Sequence, residues 1–562
     1  MKRLARVAAA SFLLACGRHA PPVTTASVAP AWTHGAVCYE IFVRSFVDSN
    51  GDGIGDLNGL IGRLDYINDG NPTTHTDLGA SCIWLMPIAE SPSYHGYDVS
   101  NYYRVKAEYG TNDDFKRLMV EAHRRGIRVL VDMVLNHASS EHPSFQAALR
   151  DTTSHYRSWY RFARTADGKG PWGEEVWHRS PVRDEYYYGV FWKGMPDLNY
   201  TSPEVREEAK RVATFWLRDM GVDGFRLDAV PYLVEEGSCL TGCAGTHAFL
   251  REYASHLRTI APDAFTIGEV WGTADTLTHY YSDQLTAYFA FELADSLIAA
   301  ARRGTAGGLL SSFRRFQQLQ PADRWSPLLS NHDGTRSMTR LGDDVRRAKV
   351  AATLLLTLPG LPFVYYGEEI GMTGDKPDER LRTPMQWSPA RGLGFTTGAA
   401  WEAAQADSLR VTVEQQQADS LSLLHLYRRL IPLRATTEPL ASGDLSELRT
   451  NDSGVVAFAR RAGPAAVLVV ANLGEQPADL ALSSASGLLP SGEYGMRELL
   501  REVPVTQLVV AADGSLQSYR PIDRPLAPGE SLILELMTPN GIGGARPGVP
   551  ASLNPSKVNK KR

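Results

Sequence analysis

From Val37 onward, short runs rich in apolar and β-branched residues alternate with longer stretches whose apolar positions recur at helical spacing. The runs are Val37–Phe46, Ala80–Ile88, Ile127–Leu135, Val222–Leu227, Ala264–Val270, Leu285–Phe291, Trp325–Ser330 and Leu361–Tyr366. Polar loops and a helical stretch follow each of them. That order predicts an α/β protein whose parallel strands close into a (β/α)8 TIM barrel. A doubly wound open sheet is the alternative, but no glycine-rich phosphate loop follows the first run. The third connection, from His137 to about Trp192, is far too long for a simple βα loop and is dense in aromatic residues; loops of that length are usually functional. After about Leu433 the pattern changes to short strands, Val455–Arg460, Ala465–Ala471, Gln507–Val510 and Ser531–Leu536, divided by Gly and Pro turns. An all-β sandwich is expected there, over 434–538.

At 562 residues the chain is long enough for two or three domains. Apolar content of 43% and charged content of 22% are those of a globular protein, and a formal charge of −5 with scattered Lys and Arg gives no reason to expect a nucleic-acid partner. Lys2, Arg3 and Arg6, followed by apolar Val7 to Ala15, make residues 1–15 a signal peptide. Leu13-Leu14-Ala15-Cys16 resembles a bacterial lipobox, so Cys16 is expected to carry a lipid, with 16–35 as a flexible tether. The expected location is outside the cytoplasm, on a bacterial membrane, with membrane contact through that anchor alone. Four further cysteines in an oxidising compartment could form two bridges; of three pairings, Cys38–Cys82 with Cys239–Cys243 is favoured, because the first two lie on neighbouring strand runs and the others are close in sequence. Free buried thiols are the other possibility. The tail, 539–562, is expected to be disordered.

A barrel gathers polar residues at the C-terminal ends of its strands around one mouth. Asp132 and His137 fall at or just after the third run, Arg226 and Asp228 at the fourth, Glu269 at the fifth, His332 and Asp333 at the seventh. All belong to one rim. Arg226 and Asp228 are two apart on a strand and point the same way, so the guanidinium is expected to lower the pKa of the carboxyl and keep it ionised, as a nucleophile requires. Glu269, flanked by Ile267, Val270 and Trp271, is the candidate proton donor, and the two acids could act as the pair of a retaining glycosidase. Asp333 would stabilise positive charge on the sugar ring, and His137 and His332 would hydrogen-bond its hydroxyls. A catalytic zinc site is the rival use of such residues, but the histidines lack the short spacing of a zinc helix.

Asp132-Met133-Val134-Leu135-Asn136-His137, Gly224-Phe225-Arg226-Leu227-Asp228, Gly268-Glu269-Val270-Trp271 and Asn331-His332-Asp333 resemble, in order, the four signature regions of the α-amylase family of glycoside hydrolases, family 13. Met195-Pro196-Asp197-Leu198-Asn199 is similar to a fifth, typical of the branch between oligo-1,6-glucosidases and neopullulanases. The resemblance implies Asp228 as nucleophile, Glu269 as general acid/base, Asp333 as transition-state stabiliser, and Tyr97, His137, Arg226 and His332 around the sugar. It implies that Asp98 and Arg336 form a pair that holds a non-reducing end in exo-acting relatives. It also implies a barrel split into 36–137 and 196–433 by a small B domain at 138–195, with the β-sandwich as C domain.

Asp48, Asn50, Asp52, Ile54 and Asp56 place oxygen donors at alternate positions, as in a calcium loop with a backbone carbonyl at the seventh position. Position twelve is Gly59, which excludes an EF-hand, and the loop resembles the structural calcium loop of oligo-1,6-glucosidase-like relatives. Ala229 after the nucleophile resembles relatives that cut α-1,4 links, while Asp228-Ala229-Val230-Pro231-Tyr232-Leu233 also looks like trehalose synthase. The expected activity is therefore hydrolysis of α-1,4 bonds in starch or malto-oligosaccharides. A transglycosylase or trehalose-forming isomerase is the second expectation, and a surface glucan-binding protein on an inactive scaffold the third.

Overall fold

In the computed structural model, residues 29–537 are described, apart from 282, 320, 322 and 323. The signal segment, Cys16 and the 539–562 tail lie outside them. Eight strands stand where the eight runs predict them: Cys38–Ile41, Cys82–Leu85, Arg128–Met133, Gly224–Leu227, Phe265–Gly268, Ala287–Phe289, Trp325–Ser326 and Phe363–Tyr365. Every paired neighbour is parallel, and the order around the sheet follows the order in the chain. Across the remaining seam the Phe363 N–H donates to Pro327 O at 2.9 Å, so the sheet is a nearly closed barrel. The strands are shorter than the apolar runs, because the run ends leave the ladder to line the two mouths.

The interior is layered. Cys38, Cys82, Leu130, Phe265, Ile267, Ala287 and Phe363 fill the lower barrel, and Trp84 and Phe289 extend that core toward the charged mouth. Cys38 and Cys82 are direct partners across the first two strands, and a disulfide joins them. A second joins Cys239 and Cys243 in the loop before helix Ala244–Ile260. Residues 31–35 are not a free tether: Ala31–Thr33 form a single 3-10 turn, and the Trp32 ring meets Phe265 edge-on at 5.7 Å, against the apolar N-terminal end of the barrel.

Helices surround the strands, each placed by an apolar stripe and a local cap. Asn112–Arg124 shows the logic: Thr111 and Asp114 form a reciprocal capping box, and Phe115, Leu118, Met119 and Ala122 turn inward at helical spacing. The long third connection forms its own small unit. It carries helix Pro143–Arg150 and a three-stranded antiparallel sheet of Phe162–Ala163, Tyr186–Tyr188 and Trp177–Arg179. Phe145, Tyr160 and Tyr187 pack together as its core, with ring centres 5.0 Å apart, whereas Trp172, Phe191 and Trp192 stay exposed.

Beyond helix Leu423–Thr436 the chain forms a six-stranded antiparallel sheet. Strand alternation gives its strands Val455–Ala462 and Ala465–Asn472 two apolar faces. Val456, Phe458, Val467 and Val469 join the core of the barrel's outer helices, while Val455, Ala457, Leu468 and Val470 join a separate core with Leu516 and Leu526. Strand Gly492–Glu498 was not foreseen, because its alternation of exposed Glu493 with Tyr494 and Met496 is too polar to register as a strand run. Among the described residues no helix is long and apolar enough to cross a membrane.

Candidate active site

Fold position and register bring the rim residues together. Asp132 and Arg226 are direct partners on the third and fourth strands, and both side chains enter the barrel mouth fully buried. Beneath them lies the Trp84 ring, 5.3 Å from the Arg226 guanidinium. From this floor Arg226 reaches three carboxylates. Nη1 donates to Asp132 Oδ1 at 2.9 Å and to Asp228 Oδ1 at 2.7 Å, and Nη2 lies 2.8 Å from Glu269 Oε2. The chain turns sharply after Asp228: Ala229 has φ +49°, which aims its N–H at Glu269 Oε2, 3.1 Å away. Trp271 donates its indole N–H to Glu269 Oε1 at 2.9 Å and stacks on Phe291, ring centres 3.9 Å apart. The two proposed reacting acids are thus held by opposite nitrogens of a single guanidinium.

On the other side of the mouth, His332 sits between two carboxylates. Nδ1 donates to Glu40 Oε1 at 2.6 Å, and Nε2 lies 3.1 Å from Asp333 Oδ2 and 2.6 Å from the Tyr97 hydroxyl. Tyr97 in turn donates to Asp132 Oδ2 at 3.0 Å and stacks nearly parallel on His332. Arg382 donates to Asp333 Oδ1 at 2.8 Å and to the His332 carbonyl at 3.0 Å. At 34% side-chain exposure, Asp333 is the most open of the three acids; Asp228 is at 11% and Glu269 at 9%.

The charges follow from burial and neighbours. Burial pushes Asp228 well above the usual carboxylate range, Arg226 opposing and Glu269 and Asp132 adding to the rise. The expectation that Arg226 alone would depress Asp228 is therefore corrected, since one guanidinium shared among three carboxylates does not offset their common desolvation. Asp132 is raised by burial to about 6 against the same arginine. Burial would also raise Asp333, but His332, Arg382 and Arg226 outweigh it and hold that carboxyl far below the ordinary range. For His332, burial opposes the proton while Asp333 and Glu40 retain it, so its pKa rises to about 9. His137 moves the other way: burial lowers it to about 3, which leaves a neutral imidazole beside Phe191 of the insert.

Two arginines stand where the sequence reading did not expect them. Arg336 does not meet Asp98; its guanidinium is buried, donating to Leu381 O at 2.9 Å and Tyr366 O at 2.7 Å, where it secures the loop after the eighth strand. Arg382, which no motif marked, points into the mouth instead. Asp98 is buried and accepts from Ser93, and burial raises its pKa. Glu40 was also missed, because it lies in the apolar first run and its partner is 292 residues away.

The Asp48–Asp56 loop lies beside the first strand, and its oxygens are of the kind calcium takes. Here, however, they turn to the loop itself. Asp48 accepts from the N–H groups of Asn50, Gly51 and Gly53 and from Thr396, Asn50 Oδ1 from Asp52 N, Asp52 Oδ1 from Ile54 N, and Asp56 from Ser49 and Gly59. Gly53 needs φ +91° and has no room for a Cβ, which would fall 1.9 Å from Ala399 O. Among the described residues no three Asp, Glu, His or Cys side chains converge to hold an ion. The donor types suit calcium, and in this arrangement they are engaged by the loop's own N–H groups.

Known proteins match this architecture along most of the chain. The model of the α-amylase catalytic domain matches residues 40–443. Alpha-amylase 3 of Dictyoglomus thermophilum is 36% identical over 446 residues, 79% of this chain and 85% of that protein. The trehalose synthase/amylase of Mycolicibacterium smegmatis is 34% identical over 529 residues, 82% and 87% of the two chains. The oligo-1,6-glucosidase of Parageobacillus thermoglucosidasius is 31% identical over 520 residues, 79% and 91%. Among solved structures, the α-amylase from H. orenii superposes with a TM-score of 0.78 at 38% identity, covering 90% of this chain and 99% of that one. A domain match of this extent, on a barrel whose mouth holds the three acids, places the chain in the α-amylase family, family 13, of glycoside hydrolases.

Proposed function

We propose that the protein is a retaining hydrolase of α-1,4 bonds in starch-derived glucans and malto-oligosaccharides. One observation carries the reading: Asp228 and Glu269 flank the same guanidinium, an arrangement that suits the closely spaced pair of a double-displacement mechanism. Arg226 takes Asp228 Oδ1, which leaves Oδ2 to attack the anomeric carbon as the glycosidic C–O bond breaks. Glu269 hands its proton to the departing oxygen; Oε1, which among the described residues accepts from Trp271 alone, is the oxygen free to carry it. In the second half-reaction Glu269 takes a proton from water, and the hydroxyl displaces Asp228 from the sugar. Asp333, held anionic by His332 and Arg382, faces the positive charge on the ring in both steps. Neutral His137 and protonated His332 supply hydrogen bonds to sugar hydroxyls, and Tyr97 presents a ring to the apolar face of the pyranose.

Transfer to a sugar hydroxyl is the second reading. It is favoured by the run from Asp228 to Leu233 and by relatives named trehalose synthase/amylase. Asp228→Asn should keep the fold, read as an unchanged melting temperature, and lose at least about 1,000-fold in kcat. Near-normal turnover in that variant would end the assignment, and a wild-type protein that binds glucan without turnover would leave only a binding role. Product separation after incubation with maltose, maltoheptaose, isomaltose, pullulan and starch distinguishes the two readings. Glucose and short maltodextrins are expected; trehalose from maltose as the main product would replace hydrolysis by isomerisation.

A further inference from the structure

Sharing no residue with the barrel mouth, a cavity of about 490 Å³ lies between two barrel helices, Val345–Thr357 and Leu423–Thr436, and the C-terminal sheet. The chain as a whole is acidic, with a formal charge of −5, yet this cavity is lined by Arg346, Lys349, Arg429, Arg501 and Arg524 against a single carboxylate, Glu530. Glu530 is already engaged. It takes Arg524 through both oxygens, at 2.7 and 2.8 Å, and Arg501 and the Ala527 N–H as well. Arg346 is shared with Asp344 and Glu475 outside the cavity.

Lys349 and Arg429 differ: among the described residues neither has a carboxylate partner. Each is pinned to the wall by a backbone carbonyl, Lys349 by Leu421 O at 2.5 Å and Arg429 by Leu500 O at 2.7 Å. Two cations without a carboxylate partner thus line a concave space whose walls concentrate their field. Leu426, Leu500 and Pro528 add an apolar patch beside them. A phosphate suits both groups, because its oxygens accept from an ammonium and from a forked guanidinium. The volume exceeds what the phosphate alone requires, and the apolar patch suits the carbon face of the group it is esterified to.

We propose that this cavity between barrel and C-terminal sheet binds a phosphate monoester, with Lys349 and Arg429 as its anion ligands. The site is independent of the reaction at the barrel mouth. The test is melting temperature of the full-length protein with inorganic phosphate, glucose 6-phosphate or sodium chloride at equal ionic strength. Both phosphates should raise it over chloride, by about 2 °C at tenfold over Kd. Lys349→Gln and Arg429→Gln should each remove that increment, Lys349→Arg should keep it, and activity on maltoheptaose should stay within about twofold throughout. Isothermal titration with glucose 6-phosphate gives a second readout if a variant melts early. No increment over chloride in the wild type, or an equal increment in both Gln variants, overturns the proposal. Vesicles containing phosphatidic acid identify the source of the ester: sedimentation with them that glucose 6-phosphate competes away assigns a lipid headgroup, and its absence alongside a retained increment assigns a soluble ester.

Discussion

Arg226 is the residue on which the mouth depends, because Asp132, Asp228 and Glu269 share its one guanidinium. Alternation along the fourth strand places it beside Asp228, as two-residue spacing requires. The spacing does not reveal that Asp132 and Glu269 claim the same guanidinium, nor that all four groups are almost dry. Charge neighbours can be read along a chain; shared desolvation cannot. The consequence is testable in the pH profile. As the proposed nucleophile, Asp228 would attack only when ionised, and its pKa is raised, so kcat/KM should begin to fall at a pH well above 4, the ordinary aspartate value. At the alkaline end, His332 loses its proton near 9, and with it the donor that faces Asp333 and the sugar. The sign for stability agrees: a base whose pKa is raised from about 6.5 stabilises the fold fully below that value and loses the contribution as pH rises through about 9. An acid limb at or below pH 4 would show that Arg226 wins over burial after all.

Among the elements, the eight barrel strands were legible because parallel strands buried on both faces are written as unbroken apolar runs. Glu40, Asp132, Arg226 and Glu269 are charged interruptions that line the mouth, whereas Arg128 and Asp223, at the N-terminal ends of their strands, pair with each other at 2.8 Å. Arg382 escaped because it lies in a loop with no periodic pattern around it. The Asp48–Asp56 loop divides the same way: its alternating oxygens were plain, while their engagement with the loop's own N–H groups was not. We propose that calcium binds there by drawing Asp48, Asp52 and Asp56 away from those bonds, the amide of Asn50 and the carbonyl of Ile54 completing the set. A chelator should then lower the melting temperature of protein purified with calcium by several degrees, and re-addition should restore it. Asp52→Ala should remove the response while leaving the apo melting temperature nearly unchanged, because Asp52 is exposed. A wild-type protein indifferent to both chelator and calcium has no ion in this loop.

At the scale of the molecule, the C-terminal sheet is a wall of the barrel as much as a domain beside it. Val456, Phe458, Val467, Val469 and Ile533 sit in the same apolar core as the barrel's outer helices, and Phe458 meets Phe313 edge-on at 6.0 Å. Two buried arginines lie at the junction, Arg460 bridging sheet to barrel and Arg434 within the barrel, and among the described residues neither forms an ion pair with a carboxylate. Arg460 donates to Thr357 O at 2.6 Å and Gly443 O at 2.8 Å, and Arg434 to Leu358 O at 2.6 Å. Burial lowers both pKa values, that of Arg434 to about 9, and the neighbouring Arg434 adds to the lowering of Arg460. A chain ending at Gly443 would retain the catalytic barrel and all three acids. It would nonetheless uncover five large apolar side-chain contacts, worth roughly 10 kcal/mol at about 2 each, and orphan the carbonyl of Thr357. Ten kilocalories is comparable to the whole stability of a domain. Such a truncation should therefore aggregate, or melt more than about 10 °C below the full chain, while the intact protein unfolds in a single calorimetric transition. A soluble truncation with an unchanged melting temperature would show instead that the barrel closes its own core, and that the sheet belongs to the cavity it shares with the helices and to nothing deeper.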